Sequence, residues 1–314
     1  MTISQDLSAP LAVLVGITGL QGGSVARALI ESDKPYRLRG LTRDVTKTAA
    51  QAFAKQGVEI IGVSLTVDNA ANVYKAFEGA DIAFVVTNFN EHMDKQREIA
   101  EGKLLVDVAK DVGVKLLIWS GLESFSAVSG GKYSRVGFFD SKGEITAYAK
   151  QSGVPLSVVQ AGSYATNILE TSYALKKQPD GGYVLGLPIA ASTVVPIIDV
   201  AHDYGLYVRA AIEVPSLGAG SEVQSGKLIS FEDIIAKLSE VSGKKITYTE
   251  MDREGFIALT QMPDFGPMLA DMFQAIEEYG YYPGKEVTSE SLLARKPRSW
   301  AEFLAAMPIA KLLD

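Results

Sequence analysis

The sequence predicts an α/β protein: a doubly wound parallel sheet followed by a smaller α+β C-terminal domain. Three observations predict it. Short apolar runs rich in Val, Ile and Leu, without polar alternation, recur through the first half, as strands buried on both faces do. Segments of helical period separate them, with glycines where those helices should end. The chain has 314 residues, and at ~150 residues per domain that is room for about two domains with a sizeable core.

Taken in order, a strand at 11–16 is followed by a helix at 21–30, and a strand at 36–41 by a helix at 46–56 that ends at Gly57. A strand at 58–63 precedes a helix at 69–77 that stops before Gly79, and a strand at 82–86 precedes a helix at 95–112 that stops before Gly113. A strand at 114–119, a helix at 141–152 ending at Gly153 and a strand at 156–159 complete the series. Strand and helix alternating in this way imply βαβ crossovers, with helices on both faces of the sheet. Residues 1–160 are therefore expected to form one doubly wound domain.

Beyond Gln160 the rhythm changes. Pro and Gly cluster at 179–182, 186–188 and 215–226, and helical pattern returns at 199–212, 230–242 and 268–279. Ser230 reads as an N-cap with Glu232 and Asp233 in the first turn. Strand-like segments lie at 227–229 and 245–249, and the stretch 300–313 reads as one helix burying Trp300, Phe303, Leu304 and Met307. Residues 161–314 are expected to form mainly the smaller substrate or partner domain, with about 190–212 returning to the first.

Composition narrows the chemistry. Thirty Lys+Arg against 37 Asp+Glu leave −7, which argues against phosphate-backbone binding and so against direct nucleic-acid contact. The absence of cysteine removes disulfides, thiolate metal sites and a Cys nucleophile. Only His92 and His202 are present, too few for a His-rich metal centre; both are read as structural or surface residues, and no metal is expected. The opening residues lack a cationic n-region, and no run approaches the ~20 apolar residues of a membrane span. The expected setting is the cytoplasm, or cytoplasm and nucleus.

The strongest local signal is Gly16-Ile-Thr18-Gly19-Leu20-Gln21-Gly22, between the first strand and the first helix. Gly16 permits a tight turn, Gly19 lets backbone approach a diphosphate, and Gly22 allows the helix to pack close on the strand, in the manner of a Rossmann fold. The helix N-terminus then presents N–H groups to the anion. The second strand runs into Thr42-Arg43-Asp44, with Lys47 a turn beyond. Arg43 and Lys47 suit a 2′-phosphate, and NADP(H) is favoured over NAD(H); Asp44, if it faced the ribose instead, would favour NAD(H). Further cofactor contacts are expected beyond the strand ends, from Thr87, Asn88 and Phe89, from Ser120, and from Ala161, Gly162, Ser163 and Tyr164.

The stretch 16–27, with 41–43, 86–88, 102–105, 119–123 and 139–144, resembles the NmrA-like family of atypical short-chain dehydrogenases, and most of all its NADPH-sensor members. The resemblance covers most of the chain and weakens toward its end. It implies a Rossmann domain with a small C-terminal domain, NADP(H) binding and often a redox-responsive regulatory role. Other members of that superfamily are NADPH-dependent reductases.

A short-chain dehydrogenase uses a Tyr four residues before a Lys, so that both face one side of a helix. Lys142 stands in the right helix and is expected to contact cofactor, but the position four before it is Phe138, which has no proton to give. The Tyr–Lys pair is absent. Three donors remain open for an enzyme: Lys142 itself, Tyr133 in the loop after Ser120, and Tyr164. Each has a plainer role, Lys142 on a ribose and the tyrosines in packing. The Met- and aromatic-rich segment 262–282 reads as second-domain core or as a substrate or partner surface.

Three readings follow. One is a redox-state-responsive NADP(H)-binding regulator, with a protein partner or a second copy of the chain as a homodimer. Another is an NADPH-dependent reductase of a small carbonyl, quinone or imine-like substrate in the interdomain cleft. A binding platform with a purely structural nucleotide is the third.

Overall fold

The buried apolar strands assemble as a seven-stranded parallel sheet in the computed structural model, which describes residues 3–4, 6–170 and 175–313. The first half runs β1 (Leu11–Val15), α1 (Leu20–Ile30), β2 (Arg37–Thr42), α2 (Thr48–Ala54), β3 (Glu59–Gly62), α3 (Ala70–Phe77), β4 (Ile82–Val85), α4 (Lys95–Asp111), β5 (Leu116–Trp119), α5 (Phe125–Val128), α6 (Gly137–Ser152) and β6 (Leu156–Gln160). The second half continues with β7 (Ser163–Tyr164), α7 (Thr166–Glu170), β8 (Leu175–Lys177), β9 (Tyr183–Leu187), β10 (Val194–Ile198), α8 (Val200–Glu213), β11 (Glu222–Gln224) and β12 (Lys227–Ser230). It ends with α9 (Phe231–Ser242), β13 (Ile246–Glu250), α10 (Arg253–Thr260), α11 (Gly266–Tyr279), α12 (Trp300–Ala306) and α13 (Ile309–Leu312).

The strand order is β3-β2-β1-β4-β5-β6-β11. The order reverses between β1 and β4, the place where ligands sit in a doubly wound sheet. Every residue of β1 and β6 is buried, which is why both lack polar alternation. On one face Val25 and Leu29 of α1, Phe53 of α2 and Tyr204 of α8 form the core. On the other it is formed by Phe77 of α3, Leu105 of α4 and Ile145 of α6.

Helix α8 is the piece of the second half that lies against the large sheet. It crosses α1 so closely that a Cβ on Gly205 would stand 2.1 Å from the Ser24 carbonyl oxygen, and Tyr204 donates its hydroxyl to the Val159 carbonyl at 3.0 Å. Strand β11 pairs parallel with β6 from within the Pro/Gly-rich stretch 215–226, where periodicity shows nothing because three residues are too few for a period.

Two three-stranded sheets, β12-β10-β7 and β13-β9-β8, belong to the second half. Around them Phe231, Leu238, Phe256, Phe273, Trp300 and Phe303 form a third core, which Phe125, Val136 and Phe139 of the first half enter. Ser230 caps α9 through the Asp233 amide, with Glu232 and Asp233 in the first turn. The segment 262–282 serves mainly as core: Phe273 and Tyr282 are buried, and Phe273 meets Phe256 edge-on at 5.7 Å.

Two boundaries differ from the sequence reading. Helix α6 begins at Gly137 rather than 141, because Phe138 and Phe139 dock on the aromatic core and carry the helix back by a turn. The stretch 300–313 is two helices: Met307 is extended (ψ 147) before Pro308, whose ring cannot continue the hydrogen-bond ladder. Among the described residues no helix is long and apolar enough to cross a membrane.

Candidate functional site

The turn from β1 to α1 is shaped by its glycines. Gly16 adopts φ +66, and the Gly19 amide donates to the Gly16 carbonyl at 2.8 Å. A Cβ on Gly22 would lie 2.3 Å from that same carbonyl oxygen and 2.6 Å from that of Val15. Helix and strand thus meet backbone to backbone. Gly19 is the N-cap residue, no side chain caps the helix, and its first turn holds no acid. The first-turn amides of Leu20, Gln21 and Gly22 are therefore left to an anion, which the macrodipole favours. This cradle fits the diphosphate of a dinucleotide.

At the end of β2, Arg43 and Asp44 make different local contacts. The Asp44 carboxylate accepts from the Thr46 amide at 2.8 Å and the Thr46 hydroxyl at 2.6 Å, so it closes its own turn. Those bonds hold its carboxyl below the usual range. The Arg43 guanidinium extends from the C-terminal end of β2, 60% exposed, and pairs with Glu91 in the turn after β4. Lys47 is exposed at the start of α2. Thr18 and Thr42 face each other across the two turns at 3.4 Å.

A second cluster lies beneath the ends of β4 and β5, where α4 and α6 approach closely. A Cβ on Gly102 would stand 2.4 Å from Ile145 Cδ1. One turn before Gly102, the buried Glu98 takes the Lys142 ammonium at 2.5 Å and the Thr87 hydroxyl at 2.6 Å on one oxygen, and the Ser141 hydroxyl on the other. Thr87 Oγ1 is also 3.4 Å from Lys142 Nζ. Glu98 and Thr87 thus hold the Lys142 Nζ in place and leave it one position open toward a ligand hydroxyl. Glu98 is the residue that sequence reasoning missed. Its signal is faint: an acid one turn before Gly102, beside the apolar stripe of Ile99, Leu105, Val106 and Ala109.

A third group joins three positions read from the sequence. Ser120 donates to Gln21 Oε1 at 2.7 Å, and Gln21 Nε2 donates to the Tyr164 hydroxyl at 2.7 Å. This links the end of β5, the first turn of α1 and β7. Burial raises the Tyr164 pKa, partly offset by Gln21.

The remaining candidates are placed as follows. Ala161 and Gly162 are buried, and a Cβ on Gly162 would meet the Pro196 carbonyl oxygen at 2.2 Å, so packing alone requires that glycine. Ser163 pairs with Ile197 in β7. Asn88 is exposed, and the buried Phe89 ring packs on Phe138. Phe138, at the position of the missing tyrosine, contacts Phe89, Phe139 and Phe265. Tyr133 is turned to α11: its hydroxyl donates to Glu278 at 2.8 Å, and burial and Glu278 both raise its pKa.

His92 stands 3.5 Å from Glu91. His202 with Asp199 and Asp203 could group three ligand atoms, but Arg298 and Arg295 already occupy those two carboxylates at 2.9 and 2.8 Å.

Fold and site together define a doubly wound α/β protein with a glycine-turn anion cradle at its topological switch point. The chain belongs to the NmrA-like family, whose sequence model matches residues 10–304. It is 30% identical over 261 residues to the NmrA-like family domain-containing oxidoreductase malD of Malbranchea aurantiaca, covering 78% of this chain and 77% of that protein. In three dimensions it is similar to NmrA, a negative transcriptional regulator solved with NADP (TM-score 0.76, 22% identity, 94% of each chain). It is equally similar to the NADPH-dependent quinone oxidoreductase QOR2 of Escherichia coli, solved with NADPH (TM-score 0.76, 21% identity, 94% of this chain and 99% of that one).

Proposed function

We propose that the chain binds NADP(H) across the C-terminal ends of β1, β2 and β4 and acts as a dinucleotide-responsive regulator. The observation that carries the binding is the uncapped glycine turn beside the exposed Arg43 guanidinium, which pairs with Glu91 and not with Asp44. In this reading the amides of 20–22 take the diphosphate, Arg43 and Lys47 take the 2′-phosphate, and Lys142 with Thr87 takes a ribose hydroxyl. Structural neighbours solved with NADP or NADPH agree with dinucleotide binding, and NmrA is solved with NAD as well.

The regulatory part rests on what surrounds Lys142. Phe138 offers no proton, and the ammonium is already committed to Glu98. The Arg43–Glu91 pair supplies a way to respond. An exposed pair of this kind is worth ~1 kcal/mol or less, so a dianionic phosphate displaces Glu91 and frees the turn at 89–91. Bound and free states then differ in that turn, which is the differential interaction that population shift requires. Light scattering and limited proteolysis at saturating NADP⁺ and NADPH test this; identical particle size and cleavage at 89–93 with and without ligand reject it.

The binding reading has its own test. Arg43→Ala is expected to weaken NADPH about 10- to 100-fold by calorimetry, the equivalent of ~1.5–3 kcal/mol for charge-assisted bonds, and to leave NADH nearly unchanged. An unchanged NADPH constant rejects Arg43 as the phosphate partner.

A second reading, a reductase, is favoured by Tyr164 and by the relatives named oxidoreductases. The Tyr164 hydroxyl accepts from Gln21, so its own hydrogen is not used in that bond. NADPH supplies a hydride when bound; Tyr164 would give the matching proton to a carbonyl or quinone oxygen. NADPH consumption with a panel of quinones and aldehydes, abolished by Tyr164→Phe, is the supporting result.

A further inference from the structure

A cavity of about 450 Å³ opens between the loop that leads into α6 and the helices α10 and α11, lined by Lys132, Tyr133, Arg135, Arg253, Asp271 and Gln274. It shares no residue with the glycine turn, with Arg43 or with the Glu98–Lys142 cluster. Three cations and one carboxylate face it, in a chain whose formal net charge is −7.

The charges are unequally satisfied. Lys132 pairs with Glu278, and its ammonium also lies 5.0 Å from the centre of the Tyr133 ring. Arg253 is held at 2.8 Å by the buried Asp271 and at 3.1 Å by Glu254. The Arg135 side chain is exposed and has no hydrogen bond or ion pair among the described residues; only its backbone carbonyl is engaged, by the Gly137 amide at 2.7 Å. The wall around it is fixed: Tyr133 is buried and bonded to Glu278, and the Asp271 pair sets the Arg253 side chain. A planar five-donor fork beside pre-set polar walls matches a carboxylate, which it can bind in two parallel hydrogen bonds. The volume lies in the range of small-molecule sites.

We propose that this cavity binds a small organic carboxylate, with Arg135 as its anchoring cation. The site is independent of the dinucleotide reading, and its test does not require turnover. Benzoate, the neutral isostere benzamide and inorganic phosphate are titrated into the full-length chain by ligand-observed NMR, with and without saturating NADPH. Benzoate is expected to bind with a millimolar constant and benzamide at least about tenfold more weakly. Arg135→Ala is expected to weaken benzoate about tenfold or more with an unchanged thermal midpoint, because an exposed side chain without a partner contributes little to folding. Arg135→Lys is expected to recover part of the loss, since the charge returns without the fork. Equal benzoate binding by the parent chain and Arg135→Ala, or no binding at all, overturns the proposal. Arg135-dependent phosphate binding without benzoate binding also overturns it, and assigns a phosphoryl ligand instead.

Discussion

Glu98→Ala is expected to destabilise the protein by ~3–5 kcal/mol, the range for breaking a buried ion pair from one side. Glu98 is 3% exposed and accepts from Lys142, Thr87 and Ser141 at once. Its removal leaves the Lys142 ammonium buried with only Thr87 Oγ1 nearby, and leaves two hydroxyls without their acceptor. Urea denaturation should show the loss as a lower midpoint. The double variant Glu98→Ala/Lys142→Met separates the pair from its surroundings. Removing both charges also removes the uncompensated one, so the double variant should be more stable than Glu98→Ala alone. If the double variant is no more stable than Glu98→Ala, the two groups are not energetically coupled and the fixed-ammonium picture of Lys142 fails.

That cluster also marks where reading the sequence stops. Six of the seven main-sheet strands were legible because parallel strands buried on both faces are largely apolar: β1 is so throughout, and β6 at all but Ser157 and Gln160. Gly16 and Gly22 were legible because a turn and a close approach leave only glycine, a constraint local to a few residues. Lys142 was visible as a position in a helix. Its partner was not, since Glu98 is 44 residues away and reaches it only through the crossing of α4 and α6 at Gly102.

The same distance rule explains the tyrosines. Nothing near Tyr133 in sequence says that its hydroxyl belongs to Glu278, which is 145 residues on. The link from Tyr164 to Gln21 spans 143 residues and joins β7 to α1. By contrast, the Asp44 carboxylate finds its partner in Thr46, two residues away, in a turn whose chemistry can be named from residue type. Helix α12 ends because of a neighbour too, Pro308, and reading 300–313 as one helix gave apolar spacing more weight than that proline.

Gly22→Ala is expected to abolish measurable NADPH binding and to cost ~1–3 kcal/mol of stability, the range for overpacking a close contact. The added Cβ would stand 2.3 Å from the Gly16 oxygen, 2.6 Å from the Gly16 carbonyl carbon and 2.6 Å from the Val15 oxygen. All three are backbone atoms, so no rotamer change relieves the clash. Either α1 lifts from β1 or the turn at Gly16 opens, and both move the first-turn amides off the anion. Gly79→Ala is the matched control. Gly79 has φ +73 with nothing within 4 Å of an added Cβ, so it should lose only the ~1–2 kcal/mol of a left-handed residue and bind NADPH as the parent does. Calorimetry with NADPH and urea midpoints on both variants distinguish the outcomes. If Gly22→Ala binds NADPH as Gly79→Ala does, the close contact at 22 does not hold the first-turn amides in place and the diphosphate cradle lies elsewhere.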